Sequence, residues 1–347
     1  MSNNFPRLHN AAWPGVVGKG SDDEPFFSLD KMIEFTANAS FRDRKFDGID
    51  LFISDPHVSI DSSDDDLKEL ADKLKIRNLV AGSLVAPVWP ETGGGSAMGG
   101  ESERKQFLEQ VRKACIIAGK LRDLGVRPYG IVRIDSATDV ETWSKNPSEN
   151  TKLIGKTFKN AAEIAQDHGE KLAAEGEICW GGMHSWKWML RTLDEADSEG
   201  ILGFQADLAH SMLYLLGYNQ EDHRILPEDF SWDDKEAFTE AYTTMTNALK
   251  PWTIDLHIAQ NDGTVKGMGS HDKTGKHCLA DDPNGKLDIP YAAGFWLYDS
   301  DGNKRKDIKH ICWDGCMFPN DILNQQQTWD TILEAMISVQ ELHGWRD

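Results

Sequence analysis

Short apolar runs alternate with amphipathic or polar stretches from one end of this chain to the other, and that rhythm leaves few folds open. "FPRLHNAAW" at the front is the first apolar run, and "FDGIDLFIS" (46–54) is the second. "NLVAGSLVAPVW" (78–89), "VRPYGIVRID" (126–135), "KLAAEGEIC" (171–179), "GILGFQAD" (200–207), "WTIDLHIA" (252–259) and "IKHICW" (308–313) follow. Between them lie stretches with helical periodicity. "SSDDDLKELADKLKI" has Ser62 or Ser63 as a cap and Leu67, Leu70 and Leu74 on one face. "SERKQFLEQVRKACIIAGKLRDLG" sets Phe107, Val111, Ala114, Ala118 and Leu121 in register and stops at Gly125. Further helices are expected around 150–167 (Leu153, Phe158, Ala161, Ala165), in "MHSWKWMLRTLDEA", in "DDKEAFTEAYTTMTNAL" and in "QQQTWDTILEAMISVQELHG".

Strand-then-helix order sustained for this long means parallel strands, either in a closed eight-stranded barrel or in an open doubly wound sheet. No glycine-rich phosphate loop follows the first strand. "ETGGGSAMGG" (91–100) lacks the Lys-Ser/Thr ending of a phosphate loop and reads as a flexible loop. The expectation is therefore an α/β chain forming one (β/α)8 TIM barrel domain over residues 1–347, with long loops after strands three, six and seven.

In such a barrel the chemistry gathers where strands end, and here those ends are polar. Strand five ends with Glu175 and Glu177, strand six with Asp207 and then His210. Strand seven carries Asp255 and His257, and strand eight carries His310 and ends at Asp314. Residues two apart share a strand face, so several carboxylates and an imidazole are set to converge. No lysine or arginine recurs at these strand ends. Converging carboxylates need a positive partner, and a divalent cation is the natural one. Oxygen donors with one or two imidazoles suit Mn²⁺ first, with Mg²⁺, Co²⁺ or Zn²⁺ as substitutes. Taken alone, a strand-end aspartate is most often a cap or a loop anchor, and a strand histidine a satisfied core residue. The coincidence over four successive strands is what favours a site. Asp207 is then expected as a ligand and His210, one step into the loop, as a substrate contact.

"HGEKLAAEGE" (168–177), "GFQADLAH" (203–210), "DLHIAQNDG" (255–263) and "KHICWDG" (309–315) together resemble the xylose-isomerase-like barrel superfamily of sugar isomerases and epimerases, from "FDGIDLF" onward. The resemblance implies a metal held by Glu175, Asp207, His257 and Asp314, with Glu177 competing with Glu175. It implies a metal-dependent isomerase or epimerase that abstracts a proton next to a carbonyl by way of an enediolate. Glu175, Asp314, His210 and His184 are the expected catalytic groups. Glu177, Trp180, His271, His277 and Trp313 are the expected substrate contacts. The chain departs from the ketose 3-epimerases in having Asp255 as the first residue of the strand-seven pair and an aspartate, Asp314, where they use a glutamate. The long loop 267–288 brings His271 and His277. The same superfamily holds lyases of 3-keto-glycosides and the catalytic subunits of 3-oxo-C-glycoside deglycosidases, which are the alternative. A barrel that binds sugar without catalysis is the non-enzymatic rival.

A net charge of −20 argues against nucleic acid and against an anionic membrane surface. Of the five cysteines none forms a C-x-x-C pair, and no apolar run reaches membrane-spanning length. These features lead to the expectation of a soluble cytoplasmic protein with reduced thiols, acting on a carbohydrate or keto-sugar. Its expected assembly is a homo-oligomer, or a complex with a small partner subunit in the deglycosidase case.

Overall fold

In the computed structural model, residues 4–11, 24–265, 277–315 and 318–346 are described. Eight parallel strands close into a barrel: β1 (Arg7–Ala11), β2 (Gly48–Phe52), β3 (Val80–Val85), β4 (Val132–Ile134), β5 (Leu172–Glu175), β6 (Leu202–Asp207), β7 (Thr253–Ile258) and β8 (His310–Trp313). Neighbours in sequence are neighbours in the sheet, and β8 pairs with both β7 and β1. The sequence reading of a TIM barrel with these eight strands holds, although β4 is much shorter than the apolar run that announced it.

The outer layer is built by α1 (Leu29–Asn38), α2 (Asp64–Ile76), α3 (Glu101–Asp123), α4 (Pro147–Asp167), α5 (Trp186–Ala196), α6 (Leu208–Leu215), α7 (Lys235–Leu249), α8 (Ile289–Leu297) and α9 (Gln326–His343). Local chemistry fixes their ends. At α2 the Ser63 hydroxyl accepts from the Asp66 amide, and Asp66 accepts from the Ser63 amide in return. Asp64, Asp65 and Asp66 open that helix and Lys73 and Lys75 close it, matching its dipole. Leu67, Leu70 and Leu74 are buried against the barrel, each contributing about 1.5–3 kcal/mol. Gly125, at φ +74°, lets the chain turn out of α3.

Three helices, α1, α6 and α8, arise where the sequence reading had only connections. Loop 91–100 also differs from its reading. Residues 94–97 are buried, and the Ala97 amide donates to the Ser136 carbonyl, tying this loop to the end of β4. Among the described residues no helix is long and apolar enough to cross a membrane.

The barrel interior is not the usual stack of branched apolar side chains. Ala11, Phe52, Val85 and Cys312 form a small apolar patch inside it. Below runs a polar network of His9, Asp50, Ser83, Asp255, Gln205 and His310, all buried. His9 Nδ1 lies 2.7 Å from Asp50 Oδ1, His310 Nε2 lies 3.1 Å from Asp50 Oδ2, and the Gln205 amide donates to Asp255 Oδ2 at 2.6 Å.

Candidate active site

Period-two alternation decides which side chains meet. On β8, His310 reaches inward to Asp50, so Cys312 and Asp314 face inward as well, while Ile311 and Trp313 face the helices. On β7, Asp255 and His257 face inward, and on β6 so do Gln205 and Asp207. Register then sets Asp207 beside His257, and Glu175 beside Gln205.

The result is a buried knot of acids around one imidazole. His257 Nδ1 lies 3.6 Å from Glu175 Oε1, 3.9 Å from Asp207 Oδ2 and 3.6 Å from Asp314 Oδ2. One donor atom from each of Glu175, Asp207, His257 and Asp314 falls within 4.8 Å of the others. Glu177 belongs instead with Glu175 and His210 in a second grouping. The far nitrogen of His257 is 2.8 Å from the Gln205 amide, whose nitrogen also holds Asp255. This outer support orients the ring.

His210 lies in the first turn of α6, not in a loop. Asp207 caps that turn, its Oδ1 accepting from the Ala209 and His210 amides at 2.7 and 3.1 Å. The cap uses one oxygen and leaves the other: Oδ2 is buried and accepts no hydrogen bond among the described residues. His277 arrives on a two-residue strand paired with Gln260–Asn261. Its Nδ1 is 3.2 Å from the Asp314 carbonyl, its Nε2 is 4.0 Å from Asp207 Oδ1, and its ring lies 4.9 Å from that of His210.

Other expected contacts fall elsewhere. His184 packs edge-on to Trp143 at 4.7 Å, with Nε2 3.4 Å from Gln220 Oε1. Burial brings it down to about 4, and no contact among the described residues joins it to the acids. Trp313 turns away from the barrel axis into the layer under the helices. Trp180 stands over the mouth, its ring 6.4 Å from that of Trp89. His271 lies outside the described residues.

The sequence reading missed a cation. Arg133, on β4, is buried and its Nη2 pairs with Glu175 and, at 2.5 Å, with Glu177. Among the described residues Arg133 is the one permanent cation paired with these acids, and Glu175, Glu177, Asp207 and Asp314 together carry more negative charge than it offsets. Their environments differ. Burial raises Glu175, against the pull of Arg133. Burial also works to raise Asp314, but hydrogen bonds from His257 and His277 carry it well below the usual carboxylate range. Burial works to lower His257, and Asp314 and Glu175 carry it well above its ordinary value. Surplus negative charge, an unpartnered Asp207 oxygen and an oxygen-rich donor set with imidazole all fit a divalent cation of the Mn²⁺ type.

A family model described as a xylose isomerase-like TIM barrel matches residues 40–279. No curated protein shows significant sequence similarity to the chain. Several solved structures share the fold. A D-tagatose 3-epimerase-like protein superposes with a TM-score of 0.59 at 14% identity, over 96% of this chain and 98% of that one. The 3-keto-D-glucoside 4-epimerase of E. coli, in its apo form, gives 0.54 at 13%, over 92% and 98%. A xylose isomerase-like TIM barrel protein from Mycobacterium smegmatis, in complex with magnesium, gives 0.59 at 12%, over 99% of each chain. At these identities the likeness is one of fold.

Proposed function

The chain belongs to the xylose isomerase-like TIM barrel family, and we propose that it is a divalent-metal-dependent sugar isomerase or epimerase. The observation that carries this reading is the meeting of Glu175, Asp207, His257 and Asp314, one from each of four successive strands, within 4.8 Å. These four would hold the metal, with Mn²⁺ favoured by the donor set. A divalent cation there supplies positive charge to a substrate carbonyl oxygen, on which negative charge gathers as the neighbouring C–H bond breaks.

The remaining chemistry belongs to side chains. Glu175 and Asp314 reach the cluster from strands separated by two others, so they can serve opposite faces of a sugar carbon. Glu175, raised by burial, accepts the carbon-bound proton, and Asp314 handles the proton on the other face. His210 and His277, their rings 4.9 Å apart, bind substrate hydroxyls, as does Glu177. Trp180 and Trp89 give an apolar wall for the sugar face.

Protein loaded with Mn²⁺ and incubated with a panel of ketoses and aldoses in D₂O should exchange or relocate the hydrogen next to the carbonyl, seen by NMR. Glu175→Gln should lower turnover by about two orders of magnitude or more while unfolding near the wild-type temperature. Normal turnover in that variant would remove Glu175 from the role of base.

A second reading, elimination from a 3-keto-glycoside, is favoured by one observation. Asp314 is a carbon shorter than glutamate and is already engaged by His257 and His277, which limits its reach as a proton carrier for epimerisation. That one structural neighbour is a 3-keto-D-glucoside epimerase makes an oxidised glucoside a sensible probe.

A further inference from the structure

We propose that Arg133 is a positioning residue that decides the ligand set of this site: by tying up Glu177 it keeps that carboxylate from the cation and leaves Glu175 as the ligand from β5. The inference rests on the reading of the site as one that holds a divalent cation.

Two glutamates compete for one place. Glu175 ends β5, Glu177 follows after a single residue, and both are buried. One donor atom from each of Glu175, Glu177 and His210 falls within 4.8 Å of the others, the same span that joins Glu175 to Asp207, His257 and Asp314. Distance alone does not tell the two acids apart. A carboxylate this near a divalent cation is drawn to it unless another charge holds it.

Arg133 supplies that charge. It lies on β4 beside Ala173 of β5, and it is buried. Its guanidinium stays protonated whatever surrounds it. Nη2 pairs with Glu175 Oε2 and with Glu177 Oε1, the latter at 2.5 Å. An isolated arginine and carboxylate meet through two parallel N–H bonds. Here one nitrogen spans two carboxylates instead, and Nε is buried without a partner among the described residues.

The other oxygens of the two acids differ. Glu175 Oε1 lies 3.6 Å from His257 Nδ1, among the converging donors. Glu177 Oε2 accepts from the Cys179 thiol, with Sγ 3.7 Å away. Both oxygens of Glu177 are thus engaged by Arg133 and Cys179, while Glu175 gives only one to Arg133. The backbone between them has little room to exchange these roles. A Cβ on Gly176 would run into the Tyr214 hydroxyl and the Phe204 ring, and that hydroxyl donates to the Met183 carbonyl. The Trp180 amide donates to the Glu177 carbonyl at 3.2 Å.

The arrangement matters for what the cation can do. A further carboxylate would tighten binding and fill a position that a catalytic metal keeps open for substrate. Charge by itself also predicts tighter binding once Arg133 is gone, because a nearby positive charge repels the cation. The two accounts part on additivity. If only charge matters, removing Glu177 has the same effect with or without Arg133. If Arg133 withholds a ligand, removing Glu177 matters only when Arg133 is absent.

The test is calorimetric titration of Mn²⁺ into metal-stripped wild type, Glu177→Gln, Arg133→Gln and the double variant, each checked for folding by circular dichroism. We expect Glu177→Gln to bind within about threefold of wild type and Arg133→Gln to bind about tenfold or more tighter. The double variant should fall back from Arg133→Gln by about tenfold or more. Should Arg133→Gln not fold, Arg133→Met supports the same comparison. Binding weakened about tenfold or more in Glu177→Gln alone would make Glu177 a ligand and overturn the proposal, whatever the Arg133 variants do. Equal effects of Glu177→Gln in both backgrounds would mean charge alone and overturn it, as would weaker binding by a folded Arg133 variant. Failure of wild type to bind Mn²⁺ would bring down the cation reading as well.

Discussion

Asp135 and Asp207 show how much a single oxygen atom can decide. In both, one carboxylate oxygen closes a turn and the other is buried without a hydrogen-bond partner among the described residues. For Asp135 this has a consequence for stability. Its folded-state value, near 8, stands above the ordinary 3.8. The folded protein thus keeps a proton that the unfolded chain releases. The stabilisation is fully present below about pH 4 and is lost as pH rises toward 8. Urea unfolding of metal-free protein should show wild type weakening over that window more than Asp135→Asn does; parallel profiles would mean an ordinary value for this acid. His310 makes a different case. Burial works against its charge, but Asp50 and Asp255 hold it above the usual imidazole range. Removing it by His310→Ala leaves two buried carboxylates facing each other, and should cost roughly 3–5 kcal/mol by chemical unfolding. The strand-end acids could be read from sequence because alternation and polarity coincide on β5 to β8. Arg133 and Asp135 stood in plain view in "VRID", but their partners lie on the next strand, and no local pattern names them. Trp313 was misplaced although the signal existed: it adjoins Asp314, and neighbours on a strand face opposite ways.

At the scale of elements, the polar interior demands space that the strands make by local means. Opposite β2, β3 carries an extra residue, since Ala81 pairs with Ile49 and Leu84 with Leu51. Gly82 lies in that bulge, and a Cβ there would come within 2.2 Å of Asp50 Oδ1 and 2.7 Å of His9 Nδ1. The glycine is what lets the His9–Asp50 pair fit. Gly82→Ala should therefore destabilise by about 1–3 kcal/mol, read as a lower urea midpoint; an unchanged midpoint would show that the pair can move aside freely. Two of the helices that sequence reading missed, α6 and α8, have a common cause. Every residue of α6 is buried, and α8 carries no charged residue at all. A helix that is hydrophobic all round has no 3.6-residue stripe to reveal it. The stop and start chemistry of α2 and α3 was readable because both are half-exposed.

For the whole molecule, the alternation of strands and helices implied parallel strands, the lack of a glycine-rich phosphate loop after the first strand favoured a barrel over an open sheet, and it is a closed barrel. The net charge of −20 does not decide the fold, but a concentration of buried acid at the mouth does set what the barrel can hold. A ligand that binds only the folded form raises its stability by mass action. Mn²⁺ at about a hundred times its dissociation constant should add about 2.7 kcal/mol. For a chain of this length that is a rise of roughly 4 °C in Tm. The account turns on whether the four converging residues form one cation site. Calorimetric titration of Mn²⁺ into metal-stripped wild type, Asp207→Asn and His257→Ala measures this most directly. It predicts one equivalent bound by wild type and binding weakened about tenfold or more in each variant. Wild-type affinity in both folded variants would contradict it.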